Sequence, residues 1–468
     1  MFEFLGGTDP ESVTAKYITA GDKRESRHRT PLIPARFDEF HGKGMDLSRS
    51  LWDSQSLIVH LDIEYVNSDH PGEAYRCPAR MFELQEPVER AVDLVLRNHG
   101  IKALHLQSGR GHHYVWRIRF SCPAYRRLAA LGRPAPTLER LYASPHRPFG
   151  EAVDPTLGRA YAGLALVMEW LGHEIKKIAT RETTIPVELT AVEVGGGPNG
   201  REMISIDLSE YGDPLQTRVI RIPFSNYLKP WQQRESVGTE LVAHLPPVLL
   251  IPLGRMGWKE GLEYMHDPGM ALDLARRIHV KIPRASHGME QLIRSYEASS
   301  LAKFHSFFYS QEPEPPAKWP ETYDQMAHEL LPQCARFILA HPNDLLLKPS
   351  GMNRIVRVFL ALGWHPRHIA GLITSIFARD HGWGDQWKGY DPETRAEFYT
   401  RLFSGLFATG VDDLIDFNCK SAQEEKFCFV RGCTDNLERY KESLLNRRKY
   451  ERLASRPING LLLSNEHL

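Results

Sequence analysis

This 468-residue sequence has few cysteines, no net charge and no long apolar run, and each shortage excludes a class of protein. Six cysteines in so long a chain do not form the dense disulfide framework of a small secreted domain, so a reducing compartment is expected. No apolar stretch approaches the roughly 18 residues that a membrane-spanning helix needs. The first residues lack a basic segment followed by an apolar core, which a secretory signal would have. We therefore expect a cytoplasmic protein without a membrane partner.

The balance of charge is even overall and uneven locally. Lys and Arg total 58, and so do Asp and Glu, so the net charge does not indicate a polyanionic partner. Between Val115 and Gly150, however, one acidic residue, Glu139, accompanies seven arginines, Arg117, Arg119, Arg126, Arg127, Arg133, Arg140 and Arg147. This stripe could face phosphate groups, or it could be an ordinary solvated surface.

The length of the chain exceeds what one hydrophobic core usually organises, so two or three domains are expected. Proline-rich text at Leu245–Pro247 and Glu312–Pro316 suggests the boundaries. We predict a catalytic domain over residues 1–245, with its core at about 50–235. Residues 246–318 would form a helical extension and a proline-rich linker, and residues 319–468 a mostly helical domain with four cysteines.

A carboxylate pair stands on a predicted strand between Leu57 and Tyr65, where apolar and polar residues alternate with period two. Asp62 and Glu64 are two residues apart, so their side chains point to the same face of that strand. Adjacent carboxylates repel unless a cation or a proton lies between them. Oxygen ligands of this kind suit Mg²⁺ or Mn²⁺.

A glycine-bearing turn follows about 45 residues later, between predicted strands at 104–107 and 114–118. Ser108, Arg110 and His113 project from it, and such a turn can accommodate phosphate groups. A helix predicted over 87–98, ending near Gly100, connects the two regions in the order β-α-β-β. A second helix is predicted over 158–178.

A third group of polar residues lies beyond a strand-like segment at 185–194 and a glycine-rich turn. The next predicted strand, 202–207, ends at Asp207, which points to the side opposite Ile204 and Ile206. Arg221, Ser225 and Lys229 follow in a segment that carries several cations.

The carboxylate strand, the Ser108–His113 hairpin, the Asp207 strand and the Arg221–Lys229 segment occur in a defined order. Together they resemble the catalytic domain of the archaeo-eukaryotic primase superfamily, the primase-polymerases, over roughly residues 50–235. The resemblance implies an α+β fold with a small, mostly antiparallel sheet flanked by helices. It assigns catalysis to Asp62, Glu64 and Asp207, which would hold two Mg²⁺ or Mn²⁺ ions. It assigns nucleotide binding to Ser108, Gly109, Arg110, Gly111, His113, Arg221, Ser225 and Lys229.

The activity implied is DNA-dependent nucleotidyl transfer, in which primers are made or extended from (d)NTPs on a single-stranded template. Its partners would be single-stranded DNA template and primer, nucleoside triphosphates and, as a further possibility, a helicase or another replication or defence protein. A gap-filling or end-joining repair polymerase of the same superfamily, without priming ability, is the first alternative. A non-catalytic nucleic-acid-binding or nucleotide-sensing protein is the second.

The cysteines of the last third are unevenly spaced, with Cys334 remote from Cys419, Cys428 and Cys433. One remote cysteine before helical text and three clustered after it resemble the carboxyl-terminal domain of primase large subunits, which carries a [4Fe–4S] cluster. The resemblance implies that these four cysteines hold either that cluster or Zn²⁺. Cys77 and Cys122 do not offer metal-ligand spacing and are expected to be neutral thiols.

Aromatic and basic residues alternate in the same helical module and could stack bases and bind phosphates. They are Arg354, Arg357, Trp364, His365, Arg367, His368, Trp383, Trp387 and Lys388.

Overall fold

A computed structural model describes residues 1–24, 31–145, 150–379 and 391–449 of the chain. With 51% helix and 14% strand, the protein belongs to the α+β class, as the sequence predicts. Residues Met1–Thr190 and Pro198–Ser295 form the first compact unit, and residues Ala191–Gly197 and Tyr296–Leu468 form the second. No helix of the described ranges is long and apolar enough to span a bilayer.

The strands of the described residues all lie in the first unit. They are β1 (Ile18–Gly21), β2 (Pro31–Leu32), β3 (Asp46–Ser50), β4 (Ser56–Asn67), β5 (Leu104–Ser108), β6 (Gly111–Arg119), β7 (Val187–Leu189), β8 (Glu202–Asp207), β9 (Val219–Arg221) and β10 (Ile251–Pro252).

Helices of the first unit connect and flank these strands. They are α1 (Phe2–Leu5), α2 (Phe37–Gly42), α3 (Glu73–Arg76), α4 (Pro78–Asn98), α5 (Pro123–Leu131), α6 (Pro136–Ala143), α7 (Pro155–Ala179), α8 (Lys229–Gln232), α9 (Arg234–Val237), α10 (Thr239–Ala243), α11 (Trp258–His266), α12 (Pro268–Ala275) and α13 (Ser286–Glu297). Short 3₁₀ turns occur at Pro34–Arg36 and Ser209–Tyr211.

The regular elements of the second unit are all helices within its described residues. Its helices are α14 (Ser300–Phe308), α15 (Gln333–Ala340), α16 (Pro349–Ala361), α17 (Pro366–Phe377), α18 (Pro392–Ala408), α19 (Cys419–Glu424) and α20 (Leu437–Lys449). Shorter 3₁₀ and π turns occur at Pro316–Glu321, Tyr323–Gln325, His328–Leu330 and Pro342–Leu346.

Two sheets organise the first unit. The larger has the strand order β10-β5-β6-β4-β8-β7, and the smaller has the order β2-β1-β3-β9. Neighbouring strands are antiparallel except for β7 and β8, which are parallel. The sheets are therefore mostly antiparallel, and β4 lies inside the larger one with a partner strand on each side.

Strand β4 is the longest strand, and its alternating sequence buries an apolar row on one face. Leu61 and Ile63 are at most 1% exposed. On the same face of the neighbouring strand β6, the Nε1–H of Trp116 donates to Sδ of Met289 in α13 at 3.2 Å. The ring of His112 lies 5.4 Å from that of Phe82 in α4. This packing fixes the register, because a one-residue slip would turn the apolar row away from the helices.

Helix α4 begins nine residues before the predicted start and includes Pro87 in its interior. An interior proline removes a backbone donor and usually ends or kinks a helix. Here the apolar stripe that follows, including Val88, Val92 and Val95, is buried, and this packing outweighs the local penalty. The predicted strand at 185–194 is reduced to Val187–Leu189, whereas the predicted strand at 202–207 has those bounds.

Residues 246–295 belong to the first compact unit, which ends at Ser295. Strand β10 pairs with β5 through Ile251 and Gln107. Further along, the Arg117 N–H donates to the carbonyl of Pro283 at 2.9 Å. These backbone pairings add the segment to the larger sheet.

The second unit buries the basic and aromatic residues that the sequence suggests for nucleic-acid contact. The described members of that set are each at most 9% exposed, namely Arg354, Arg357, Trp364, His365, Arg367 and His368. Arg354 pairs with Glu425, and Arg367 pairs with Glu397 at 2.5 Å. These side chains therefore hold the helices together, and the expectation that they form a nucleic-acid surface is wrong for this conformation. Trp383, Trp387 and Lys388 lie outside the described residues.

Arg357 makes the most extensive of these ion pairs. Its Nε and Nη2 donate to both oxygens of Asp412 at 2.9 Å, and its Nη1 donates to Asp416 at 2.9 Å. Arg357→Leu leaves the buried Asp412 carboxylate without its cation, which costs about 3–5 kcal/mol. We expect the second unit to lose roughly 6–20 °C in melting temperature, measured by circular dichroism.

The matched control for this variant is Lys348→Gln. Lys348 forms an exposed pair with Asp344 at 3.7 Å, and exposed pairs contribute at most about 1 kcal/mol. Equal melting temperatures for the two variants would show that the Arg357 pairs do not stabilise the unit.

Candidate functional site

Strand β4 lies between the two strands that carry the other predicted site residues. Asp62 is the register partner of His113 on β6 and of Asp207 on β8. Glu64 is the register partner of Gly111 and Ser205. Paired residues on adjacent strands project to the same face, so the sheet gathers the predicted carboxylates and the histidine on one surface. This confirms the expected side of Asp207, opposite Ile204 and Ile206.

Asp62 has a half-buried carboxylate with one unpaired oxygen. Its Oδ1 is buried and makes no hydrogen bond within the described residues, and Nδ1 of His113 lies 3.3 Å from it. Burial raises the pKa of Asp62 well above its usual range, and the negative charges of Glu64 and Asp207 raise it further. A carboxylate in this setting gains from a proton or a cation placed beside it.

Glu64 is compensated by two cations from distant parts of the chain. Its Oε2 accepts a hydrogen bond from Nη2 of Arg110 at 2.6 Å, and its Oε1 accepts from Nζ of Lys229 at 2.9 Å. Burial alone would raise the pKa of Glu64, but the charges of Arg110 and Lys229 hold it below its usual range. Arg110 and Lys229, both predicted as nucleotide-binding residues, therefore meet at this carboxylate.

His113 is held by a series of hydrogen bonds whose other members, His60 and Glu210, the sequence analysis does not predict. Its Nδ1 lies 2.8 Å from Nε2 of His60, whose Nδ1 lies 2.6 Å from Oε2 of Glu210. Burial lowers the pKa of His113 well below its usual range, and the charge of His60 lowers it further. The Nε2 atom of His113 is buried and makes no hydrogen bond within the described part of the chain. Its hydrogen-bonding capacity is therefore unused in this part of the chain.

The signal for His60 was present in the sequence. His60 stands two residues before Asp62 and therefore projects from the same face of β4 as both predicted carboxylates. Glu210 carried no such signal, because it lies in a 3₁₀ turn after β8 and reaches His60 only through the fold.

The hairpin glycines are required by close packing around β4. A Cβ at Gly111 would lie 1.9 Å from the carbonyl oxygen of Ile63, and one at Gly109 would lie 2.7 Å from the ring of Tyr227. Ser108 is 1% exposed, and its hydroxyl donates to the carbonyl of Gly111 at 3.2 Å. These three residues shape the turn that presents Arg110 and His113; their predicted contacts with a nucleotide remain predictions.

Arg221 and Ser225 lie in or beside the smaller sheet. The Nε of Arg221 donates to both oxygens of Asp46 at 3.1 and 3.2 Å, and its guanidinium lies 4.5 Å from the ring centre of Tyr227. The Ser225 hydroxyl donates to backbone carbonyls of Leu47 and Ile222. Ser225 therefore anchors the segment that follows β9, whereas Arg221 acts electrostatically on His113.

The fit of the site to a divalent cation rests on two of the three predicted carboxylates. Asp62 and Asp207 stand opposite one another, and the uncompensated Oδ1 of Asp62 suits an oxygen-coordinated metal such as Mg²⁺. Glu64 instead faces its two cations. Within the described ranges, no group of three or more His, Cys, Asp or Glu side chains is arranged to hold a metal ion.

The cysteines of the second unit are free thiols, and two of the four predicted ligands act electrostatically on a third. Burial raises the pKa of Cys334 to about 11. The charge of Arg354 lowers this pKa, whereas the thiols of Cys419 and Cys433 raise it. Cys428 is exposed. Cys419 and Cys433 are thus within electrostatic range of Cys334, which is distant from both in the sequence.

The cysteines of the first unit are separate from these. Cys77 and Cys122 are both free and half-buried. Burial raises the pKa of Cys77, so its thiol is neutral at physiological pH, as expected.

Comparisons with known proteins add no assignment: no family model matches the sequence, no curated protein matches it, and no solved structure matches the fold.

Proposed function

We propose that the chain is a DNA-dependent nucleotidyltransferase, a primase-polymerase that makes or extends primers from (d)NTPs on a single-stranded template. The observation that supports it best is the half-buried Asp62 carboxylate, which stands between Asp207 and His113 with a buried oxygen that makes no hydrogen bond in the described structure. Nucleotidyl transfer requires such a carboxylate beside groups that bind phosphate. Arg110, Lys229 and His113 supply those groups on the same face.

The site residues have two roles in the proposed reaction, metal binding and phosphate binding. Asp62 and Asp207 would hold a divalent cation, which when bound activates a 3′-hydroxyl and neutralises charge on the leaving pyrophosphate. His113 Nε2 would contact a phosphate oxygen, and its ring is held by His60. Arg110 and Lys229 would contact the triphosphate, because guanidinium and ammonium groups bind phosphate through charge-assisted hydrogen bonds. Their present partner, Glu64, keeps both cations in place.

The second unit would carry the metal implied by its cysteines, a [4Fe–4S] cluster or Zn²⁺. Cys334 lies within electrostatic range of Cys419 and Cys433, which supports the proposal, although the described thiols are not arranged as a metal site in this structure. Cys428 would complete a four-thiolate set. In this proposal the unit supports binding of the template or of the initiating nucleotide.

The direct test is nucleotide incorporation on an unprimed single-stranded DNA template and on the same template with a primer, each with Mg²⁺ or Mn²⁺ and labelled nucleotides. New oligonucleotides without a primer would support a primase. Products that appear only with a primer would identify the repair polymerase instead. No product under either condition would favour a nucleic-acid-binding or nucleotide-sensing protein.

His113→Ala is expected to weaken nucleotide binding more than DNA binding. Loss of a hydrogen bond to a charged phosphate costs about 1.5–3 kcal/mol, which corresponds to roughly a 10- to 100-fold rise in the nucleotide Kd. Isothermal titration with a non-hydrolysable nucleotide and anisotropy with labelled DNA measure the two separately.

The neighbouring His112 is the matched control, because its side chain points to the opposite face of the sheet and contacts Phe82. His112→Ala should leave the nucleotide Kd near the parent value. A parallel loss of DNA and nucleotide binding in His113→Ala would contradict the phosphate role.

A further inference from the structure

An arginine pair lies at the end of β6 that is remote from Asp62. Residues 283–285 run parallel to this part of β6, and their backbone brings Arg284 beside Arg117. The N–H of Arg117 donates to the carbonyl of Pro283 at 2.9 Å, and the N–H of Ala285 donates to the carbonyl of Arg117 at 3.1 Å. Two cations distant in sequence are therefore fixed next to each other by main-chain hydrogen bonds.

Arg117 is buried without a matching anion. The residue is 8% exposed, and its buried Nε makes no hydrogen bond within the described ranges. Burial lowers the pKa of Arg117, and the charge of Arg284 lowers it further. Arg119, two residues along the strand, is exposed and adds a third positive charge. A desolvated guanidinium surrounded by like charges is costly unless an anion binds to it.

The acidic residue that acts on Arg117, Asp53, is already fully engaged. Its Oδ2 accepts hydrogen bonds from Nη2 of Arg49 at 2.9 Å and from the hydroxyl of Thr14 at 2.5 Å. Its Oδ1 accepts from two backbone N–H groups at 2.9 and 3.0 Å. Asp53 therefore has no remaining hydrogen-bonding capacity for a second arginine, and no other acidic side chain of the described residues is recorded as acting on Arg117.

We propose that Arg117 and Arg284 bind a phosphodiester group of single-stranded nucleic acid. Guanidinium groups match phosphate oxygens through paired N–H donors. Arg119 lies beside them, so successive phosphates of one strand can be met by successive arginines. An isolated phosphate ion would need only one of these contacts.

The arginine pair lies at a fixed distance from the candidate site. His113 and Arg117 are four residues apart on β6 and project from the same face, which places them about 13 Å apart along the strand. Val115 lies between them on this face and is 0% exposed, so a strand that meets both positions does not run flat along β6 and needs more than the four or so nucleotides that roughly 3.4 Å per nucleotide would give. The inference rests on the proposed function, because it gives the template strand a second contact beyond the reacting nucleotide.

The test is binding of a fluorescently labelled oligo(dT) of about 20 nucleotides to the full chain, measured by anisotropy over a series of KCl concentrations. EDTA is present and nucleotides are omitted, so that catalysis plays no part. Arg284→Gln changes an exposed side chain and should not disturb folding. We expect about tenfold weaker binding. The slope of log K against log salt should fall by about 0.7, the value for one phosphate contact on a single strand.

Two further variants make the result specific. Arg117→Lys keeps the positive charge but loses the paired donors, so its affinity should lie between those of the parent and of Arg284→Gln. Arg276→Gln removes an exposed arginine that pairs with Asp273 on α12 and should bind like the parent. Unchanged affinity and salt slope in both Arg284→Gln and Arg117→Lys would overturn the proposal. So would competition by millimolar inorganic phosphate that equals competition by unlabelled oligonucleotide.

Failure of this inference can be told apart from failure of the proposed function. If incorporation requires Asp62 while DNA binding is indifferent to Arg284 and Arg117, the enzyme assignment stands and the arginine site is wrong. If the parent incorporates no nucleotide yet Arg284→Gln weakens DNA binding with the lower slope, the arginine site is right and the enzyme assignment is wrong.

Discussion

Replacement of Asp62 by asparagine is expected to abolish nucleotide incorporation while the protein remains folded. The substitution keeps the shape of the side chain and removes the charge that would bind a divalent cation. Stabilisation of charge by a metal contributes several kcal/mol at the transition state, and each 1.36 kcal/mol is tenfold in rate. We therefore expect a loss of about three orders of magnitude in incorporation rate, measured by gel assay of labelled products, with DNA binding close to that of the parent.

Stability should move in the opposite direction to activity in this variant. The folded state raises the pKa of Asp62, since burial and the neighbouring carboxylates disfavour its charge. At pH values above the unfolded pKa, the charged form of Asp62 therefore destabilises the folded state. A neutral asparagine removes this destabilisation. The melting temperature of Asp62→Asn at neutral pH should equal or exceed that of the parent.

The control for Asp62→Asn is Asp273→Asn, which changes an exposed carboxylate paired with Arg276. It should leave both the rate and the melting temperature near the parent values. Full activity in Asp62→Asn would falsify the catalytic assignment. A large fall in its melting temperature would show that Asp62 serves the fold.

Cys419→Ser is expected to remove bound metal and to destabilise the second unit. Structural Zn²⁺ contributes roughly 10–16 kcal/mol of apparent binding energy in small zinc domains, and that energy becomes folding energy when the site forms with the fold. Metal content, measured by elemental analysis of protein purified without oxygen, should fall from one cluster or one zinc ion per chain to a small fraction. Iron and sulfide in the parent would identify a cluster, and zinc a structural ion.

Two comparisons define the ligand set of the second unit. Cys77→Ser and Cys122→Ser alter thiols of the first unit and should retain the metal. Cys428→Ser tests the fourth ligand, since this side chain is exposed and does not act on Cys334 as Cys419 and Cys433 do. A Cys419→Ser protein with the metal content and melting temperature of the parent would rule out a cysteine-bound metal.

The features that can be predicted from the sequence are those set by the alternation of apolar and polar residues and by glycine-bearing turns. The alternation around Asp62 and Glu64 predicts β4, and the glycine-bearing turn predicts the β5–β6 hairpin. Such patterns depend on residues two to four positions apart, so they can be read without knowledge of the fold. The α+β class and the common face of Asp62 and Asp207 follow from them.

The local sequence pattern does not predict which charged residues are buried. The basic residues of α16 and α17, such as Arg354 and Arg367, look like a surface suited to nucleic acid, yet they are buried beside Glu425 and Glu397. These acids come from α18 and from the segment after α19. A buried charge is tolerated when an oppositely charged group lies next to it. Here the packing of the helices places the acidic side chain beside the arginine.

The sequence by itself determined the strand carrying Asp62 and Glu64, the hairpin beside it and the helical character of the last third, because each is set by the spacing of neighbouring residues. Only the tertiary structure decided which charges meet. Arg110 and Lys229 reach Glu64 from positions 46 and 165 residues away, and Arg284 reaches Arg117 through a strand-like segment of the distant chain. The strength of an electrostatic interaction depends on distance and burial in three dimensions, and sequence separation carries no information about either.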